Sequence, residues 1–141
     1  MLSTYPVTEL GIKETCDELG IKLIAYSPLC LGILTGKYNV PSQYPQGLRG
    51  LLFKRLVPEA QSLLDCLKAI AQYRQKTMAQ VAINWCIAKG AIPIPGVKNI
   101  QQVRENIAAQ NWLLDSGEVA ELDQAAAGID KPMVQNIFQT E

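Results

Sequence analysis

Two segments of the chain concentrate groups able to hold a phosphorylated molecule. They are Tyr26-Ser-Pro-Leu-Cys-Leu-Gly-Ile-Leu-Thr-Gly-Lys-Tyr38 and Ile92-Pro-Ile-Pro-Gly-Val-Lys-Asn-Ile-Gln-Gln-Val-Arg-Glu-Asn106. Each follows a short apolar run and puts glycine, hydroxyl and cationic groups directly after it. Parallel α/β proteins grip phosphorylated cofactors in this way, at the carboxyl ends of their strands. Other chemistries are excluded by composition. The 141 residues include no histidine, so neither a Ser-His-Asp or Cys-His nucleophile nor a His-ligated metal site can be built from them. Cys16, Cys30, Cys66 and Cys86 are widely spaced and form no C-x-x-C pair, so they read as reduced thiols.

Within the first segment, Tyr26 closes a strand, where its ring can stack on a flat heterocycle while Ser27 and the following N–H groups meet phosphate oxygens. From the residues alone, a buried strand-end tyrosine followed by an ordinary turn is the simpler reading. Lys37 and Arg49 read individually as solvated surface charges. In the second segment, Pro95-Gly-Val-Lys98 leads into a helix capped at Asn99. A helix start attracts phosphate through its unpaired N–H groups and its dipole, and Lys98 and Gln102 would project towards it. Gln102 is also simply a capping side chain. Tyr26 or Tyr38 with Lys37 does not read as an acid–base pair, since the neighbours Lys37 and Tyr38 are not expected to face one another.

The elements that must position these groups are legible as punctuation. Thr8–Leu19 reads as a helix capped by Thr8 and ended by Gly20, and Ile21–Tyr26 as a mostly buried strand. Ser27–Gly50 reads as a long loop rich in glycine and proline, of a length more often functional than idle. Pro58 suits the first turn of a helix whose stripe is Ala60, Leu63, Leu64, Leu67 and Ile70. Thr77-Met-Ala-Gln80 is a capping-box pattern for a helix through Lys89, stopped by Gly90, and Ala91–Pro95 is a second strand. A helix from Asn99 to about Ala109 follows, then one starting at Ser116 with Val119, Leu122 and Ala126 inward. The tail from Asp130 to Glu141 carries no clear element. Strand, long crossover and strand predict a parallel pair, and near-continuous apolar strands fit a sheet covered on both faces.

A formal net charge of zero and 48% hydrophobic residues describe one globular unit, spanning 1–141, with no electrostatic reason to bind nucleic acid or an anionic membrane. Leu23–Leu34 is too short and too interrupted to span a bilayer, and Met1-Leu-Ser-Thr-Tyr-Pro reads as neither the basic nor the apolar part of a leader. The expected location is the cytoplasm, or a plastid if a longer precursor exists.

In order, spacing and wording, the two segments resemble the last two strand–loop units of the aldo-keto reductases, (β/α)8 barrels that use NADPH. The Val81-Ala-Ile-Asn-Trp-Cys86 helix and the Ile-Pro-Ile-Pro-Gly strand make the resemblance specific, and it runs from about Thr8 to the C-terminus. It implies an α/β fold that is the C-terminal portion of a TIM barrel, with two parallel strands, crossover helices and the remaining strands upstream. By resemblance, Tyr26 stacks on the nicotinamide, and Ser27, Pro28, Leu29, Cys30 and Leu31 run along the pyrophosphate. Lys37 and Arg49 fold over the cofactor as a clasp, Lys98 and Gln102 meet the adenosine 2′-phosphate, and Glu105 and Asn106 meet the adenine. Cys30 stands where relatives often carry Gly or Ala, so its redox sensitivity would be new. Gly96 and Gln102 stand where many members have lysine and arginine, as in the subgroup that includes the potassium-channel beta subunits, which bears on the strength of NADP over NAD preference.

The family's proton-donating tyrosine and its lysine, aspartate and histidine partners match no residue here. Two functions therefore follow. The chain is the NADP(H)-binding part of a reductase acting on a small carbonyl substrate, inactive alone and completed by a separate N-terminal half-barrel or a longer gene product. Alternatively, it is a non-catalytic remnant that binds nucleotide or a partner. A neighbouring reading frame encoding the first six strands would favour the former.

Overall fold

The computed structural model describes residues 11–129. Seven-residue helix α1 (Ile12–Glu18) leads into strand β1 (Leu23–Tyr26). Two short 3-10 turns, Cys30–Thr35 and Pro41–Gln43, precede α2 (Leu48–Glu59) and α3 (Gln61–Arg74). Helix α4 (Met78–Ala88) returns the chain to strand β2 (Ala91–Ile94), and α5 (Ile100–Ile107), a 3-10 turn and α6 (Ser116–Ala127) follow.

β1 and β2 pair in parallel, as the crossover requires, with Leu23 opposite Ala91 and Tyr26 opposite Ile94. The core lies on the helical side. Leu63, Leu64, Leu67, Ile70 and Ala71 form the buried stripe of α3, and α4 is buried at every position from Gln80 to Cys86. An apolar helix of that kind belongs inside, and α2, α3, α6 and the Cys30–Thr35 turn surround it with Phe53, Leu56, Leu122, Ile33 and Leu34. A smaller cluster of Ala25, Cys86 and Ala91 seats the sheet on α4.

Polar groups fix the helix starts. Thr77 and Gln80 form a reciprocal capping box: Gln80 N–H donates to Thr77 Oγ1 at 3.1 Å and Thr77 N–H to Gln80 Oε1 at 3.0 Å. Buried Asn84 pins the α5–α6 connection. Its Nδ2 donates to the carbonyls of Ala109 (2.8 Å) and Trp112 (2.6 Å), and its Oδ1 accepts from Leu114 N–H at 2.9 Å. Arg74 ties the end of α3 to the start of α6, donating to both oxygens of Glu118 at 2.6 and 2.7 Å and to Asp115 at 3.0 Å.

Four sequence expectations need correction. The long loop ends at Gly47, because Leu48–Glu59 forms a helix whose Phe53, Leu56 and Val57 are buried. Pro58 accordingly sits in the last turn of α2 and not in the first turn of the next helix, which begins after Ala60. Helix α6 starts at Ser116 as expected, capped by Asp115 in a second capping box with Glu118. Among the described residues the sheet is covered on one face only: Ala25 and Ala91 are buried, whereas Ile24, Tyr26, Ile92 and Ile94 are 50–59% exposed. The strands are also shorter than expected, beginning at Leu23 and ending at Ile94. The proposed cap Thr8 and the Asp130–Glu141 tail lie outside the described residues.

Candidate functional site

Because Tyr26 is in register with Ile94, the two strands end level, and the segments starting at Ser27 and Pro95 leave the same edge of the sheet side by side. Adjacent strands lie about 4.8 Å apart, so the two candidate phosphate-holding segments begin at that spacing. Tyr26 belongs to the uncovered face and is 58% exposed, which decides against a buried strand-end tyrosine. Its ring shares that face with Ile24, Ile92 and Ile94, since successive side chains alternate and registered residues of a parallel pair point the same way.

Beyond Tyr26 the backbone is strained. Ser27 (φ 50), Cys30 (φ 49) and Leu31 (φ 57) all take positive φ without being glycine. Such residues persist only where their surroundings over-determine them, and they cluster at binding sites. Leu29 (φ −98, ψ 7) precedes left-handed Cys30. Part of the turn's donor set closes the turn itself: Cys30 N–H donates to the Ser27 carbonyl at 2.9 Å and Gly32 N–H to the Leu29 carbonyl at 2.8 Å. The side chains divide. Pro28 and Cys30 are fully buried and anchor the turn, so they offer a ligand backbone only, and the Cys30 thiol is shielded from solution; Ser27 and Leu31 are exposed, and Leu29 is half-buried.

The remainder of the loop is a packed strap. A side chain at Gly36 would run into the Met78 sulfur, and one at Gly50 would overlap the Pro45 carbonyl oxygen, so both positions need the bare backbone. Arg49 Nη2 donates to the Leu31 carbonyl oxygen at 2.6 Å, tying the start of α2 to the strained turn. The neighbours Lys37 and Tyr38, not expected to face one another, do meet: Lys37 Nζ lies 5.6 Å from the Tyr38 ring centroid. Among the described residues no hydrogen bond joins that ammonium to the tyrosine hydroxyl, and Lys37, Arg49 and Lys98 form no ion pair with a carboxylate.

At the second segment, Asn99 caps α5 by accepting Gln102 N–H at 2.9 Å. The reciprocal bond goes one residue further back than a capping box would send it. Gln102 Oε1 accepts Lys98 N–H at 2.8 Å, so Gln102 holds the Lys98 backbone and leaves the Lys98 ammonium exposed. The space in front of Gly96 is open, with nothing within 4 Å of where a Cβ would stand. Glu105 and Asn106 lie half-buried near the far end of α5. The Glu105 carbonyl accepts Gln80 Nε2 at 3.1 Å, and Asn106 Nδ2 is buried with no hydrogen-bond partner. Sequence reasoning missed Gln80 and Asn84 as the residues that fix α5 and its exit against α4. Polar residues within an otherwise apolar helix were the available signal.

The sequence profile described as the Aldo/keto reductase family matches residues 2–127. The chain is similar to the chloroplastic pyridoxal reductase of Arabidopsis thaliana, with 54% identity over 132 residues covering 94% of the chain and 36% of that protein. It is 32% identical to the aldo-keto reductase yakc [NADP(+)] of Schizosaccharomyces pombe, over 83% of the chain and 36% of that protein. Among solved structures, a thermostable aldo-keto reductase superposes with a TM-score of 0.64 over 88% of the chain and 36% of its own length, at 22% identity. The expected fold thereby stands as part of such a barrel. The chain spans a little over a third of the length of these relatives.

Proposed function

The chain belongs to the aldo/keto reductase family, and from that premise we propose that it is the NADP(H)-holding portion of an oxidoreductase that moves hydride between NADPH and a small carbonyl substrate. The observation that carries this reading is the level ending of β1 and β2, which brings the strained Ser27–Leu31 turn and the Pro95–Lys98 exit to one edge. The donor set fits a dinucleotide phosphate: three cations without carboxylate partners among the described residues, an open space before Gly96, and an unpartnered amide at Asn106.

In this reading Tyr26 stacks on the nicotinamide, and the backbone of Ser27, Pro28, Leu29, Cys30 and Leu31 lines the pyrophosphate. Lys37 and Arg49 close over it. Lys98 meets the 2′-phosphate, positioned by Gln102, while Gly96 leaves room and Glu105 and Asn106 face the adenine. The bound cofactor supplies hydride. Proton donation falls to a residue of another segment, and a half-barrel bearing the first six strands is the proposed partner, covering the face of Ile24, Tyr26, Ile92 and Ile94. The chain alone is proposed to turn over no carbonyl. Pyridoxal is the first carbonyl to assay, and a plastid stands beside the cytoplasm as the proposed location, both because of the names its relatives carry.

The test is co-expression with the N-terminal portion of the Arabidopsis pyridoxal reductase, followed by cofactor titration. Lys98→Ala is expected to weaken NADPH by about 1.5–3 kcal/mol, the range for a charge-assisted hydrogen bond, and NADH far less. Equal losses for both cofactors would show that Lys98 does not read the phosphate.

A further inference from the structure

Lys37 and Arg49 are twelve positions apart in a segment with little regular structure, yet both are seated on one aromatic stack. Phe53 of α2 is completely buried, and its ring meets the Tyr38 ring edge-on, with centroids 4.7 Å apart and planes at 87°. Tyr44 approaches the same ring at 6.3 Å. On the solvent side, the Arg49 guanidinium carbon lies 5.3 Å from the Phe53 centroid, and Lys37 Nζ lies 5.6 Å from the Tyr38 centroid. The order is cation, ring, ring, cation. The Arg49 end also carries the hydrogen bond to Leu31 in the strained turn.

This arrangement uses buried apolar surface to hold two positive charges that no carboxylate among the described residues holds. An ion pair would neutralise the charge it positioned. An aromatic face attracts a cation and leaves its charge available to a ligand. The edge-to-face contact is directional, so it also sets the angle between the two halves of the strap.

We propose that Phe53 and Tyr38 are positioning residues that fix Lys37 and Arg49 for the pyrophosphate of the dinucleotide, and so set how tightly the cofactor is held. This rests on the reading of the chain as a cofactor-holding segment. Two consequences separate the role from general packing. The pyrophosphate is common to NADPH and NADH, so losing the stack weakens both by the same factor, unlike loss of Lys98. The cations act by charge, so losing their placement also flattens the decline of affinity with salt.

The experiment titrates NADPH and NADH, at low and high salt, against the 141-residue chain, alone and co-expressed with the N-terminal portion of the Arabidopsis relative. Phe53→Leu, Tyr38→Leu and Tyr38→Phe are compared. Phe53→Leu and Tyr38→Leu are expected to weaken both cofactors about five- to tenfold, with a shallower salt dependence. Tyr38→Phe keeps the ring and is expected to bind as the unaltered chain does. Tyr38 is only partly buried, so Tyr38→Leu carries the test if Phe53→Leu fails to fold. Unchanged affinity in Tyr38→Leu, or a loss in Tyr38→Phe as large as in Tyr38→Leu, overturns the positioning role and leaves the cofactor reading standing. Failure of the unaltered chain to bind either cofactor in both settings overturns the cofactor reading and the positioning role together.

Discussion

The two faces of the sheet have been treated very differently. On the helical face, Ala25 and Ala91 sit on Cys86 of α4, behind which α3 and α6 complete a core with Leu63, Leu67 and Leu122 fully buried. On the other face, Ile24, Ile92 and Ile94 stand beside Tyr26 with at least half of each side chain in solvent. The residues on the open face are as apolar as those on the closed one. Apolarity therefore says that a face is meant to be covered, and topology decides whether the described chain covers it. With two strands paired, the helices have one face to pack on, and the other has no facing layer among the described residues.

That contrast can be broken from either side. The largest effect is expected on the closed side, where Leu67→Ala should cost about 2–5 kcal/mol in denaturant unfolding, because the side chain is wholly enclosed. Next is Asn84→Ala, which strands Leu114 N–H and two carbonyls inside the protein and should cost about 2–3 kcal/mol by the same measurement.

Acid should loosen the closed side further. The hydrogen bonds from Arg74 hold the Glu118 carboxyl below its ordinary range, against its partial burial and the neighbouring Asp115 charge. A lowered folded-state value means that the stabilisation is fully present above the usual carboxylate range and is lost as pH falls through the lowered value. The melting-point gap between the unaltered chain and Glu118→Gln should therefore be widest near neutrality and close in acid. The smallest effect on stability is expected on the open face. Ile24→Thr and Ile94→Thr should change unfolding by no more than about 0.5 kcal/mol, while reducing self-association in sedimentation. A large loss of stability from either would show that the open face is covered after all.

The same contrast explains what the sequence disclosed. Local signals were legible wherever a few adjacent residues decide the outcome. Thr77 with Gln80, Asn99 with Gln102, and the stripe from Leu63 to Ile70 each form what their spacing implies. Non-local outcomes were not legible. Leu48–Glu59 follows a run of glycine and proline and became helix because Phe53 has Tyr38 and Tyr44 to pack on, partners supplied from earlier in the chain. The Asp115 cap of α6 is likewise fixed from a distance, because Arg74 joins Glu118 in holding it. Of the candidate site, the cations and the turn were visible as residues. Whether Pro28 and Cys30 point inward, or Gln102 bends back to Lys98, depends on the core and the ladder, which no short window contains.

The level register of Tyr26 and Ile94 also bears on which parts of the chain can change length. The separation between the two phosphate-facing segments is set by the hydrogen-bonded ladder, which acts as a ruler independent of the residues between Lys37 and Gly47. Lengthening a flexible loop costs only about 0.6 kcal/mol per doubling. Insertions between Tyr38 and Pro41 should therefore leave the spacing of the two segments intact, provided Gly36 still meets Met78, Pro45 still lies against Gly50, Tyr44 still packs on Phe53 and Arg49 still reaches Leu31. One extra residue within β1 or β2 would shift that ruler by a full step and part the segments it aligns.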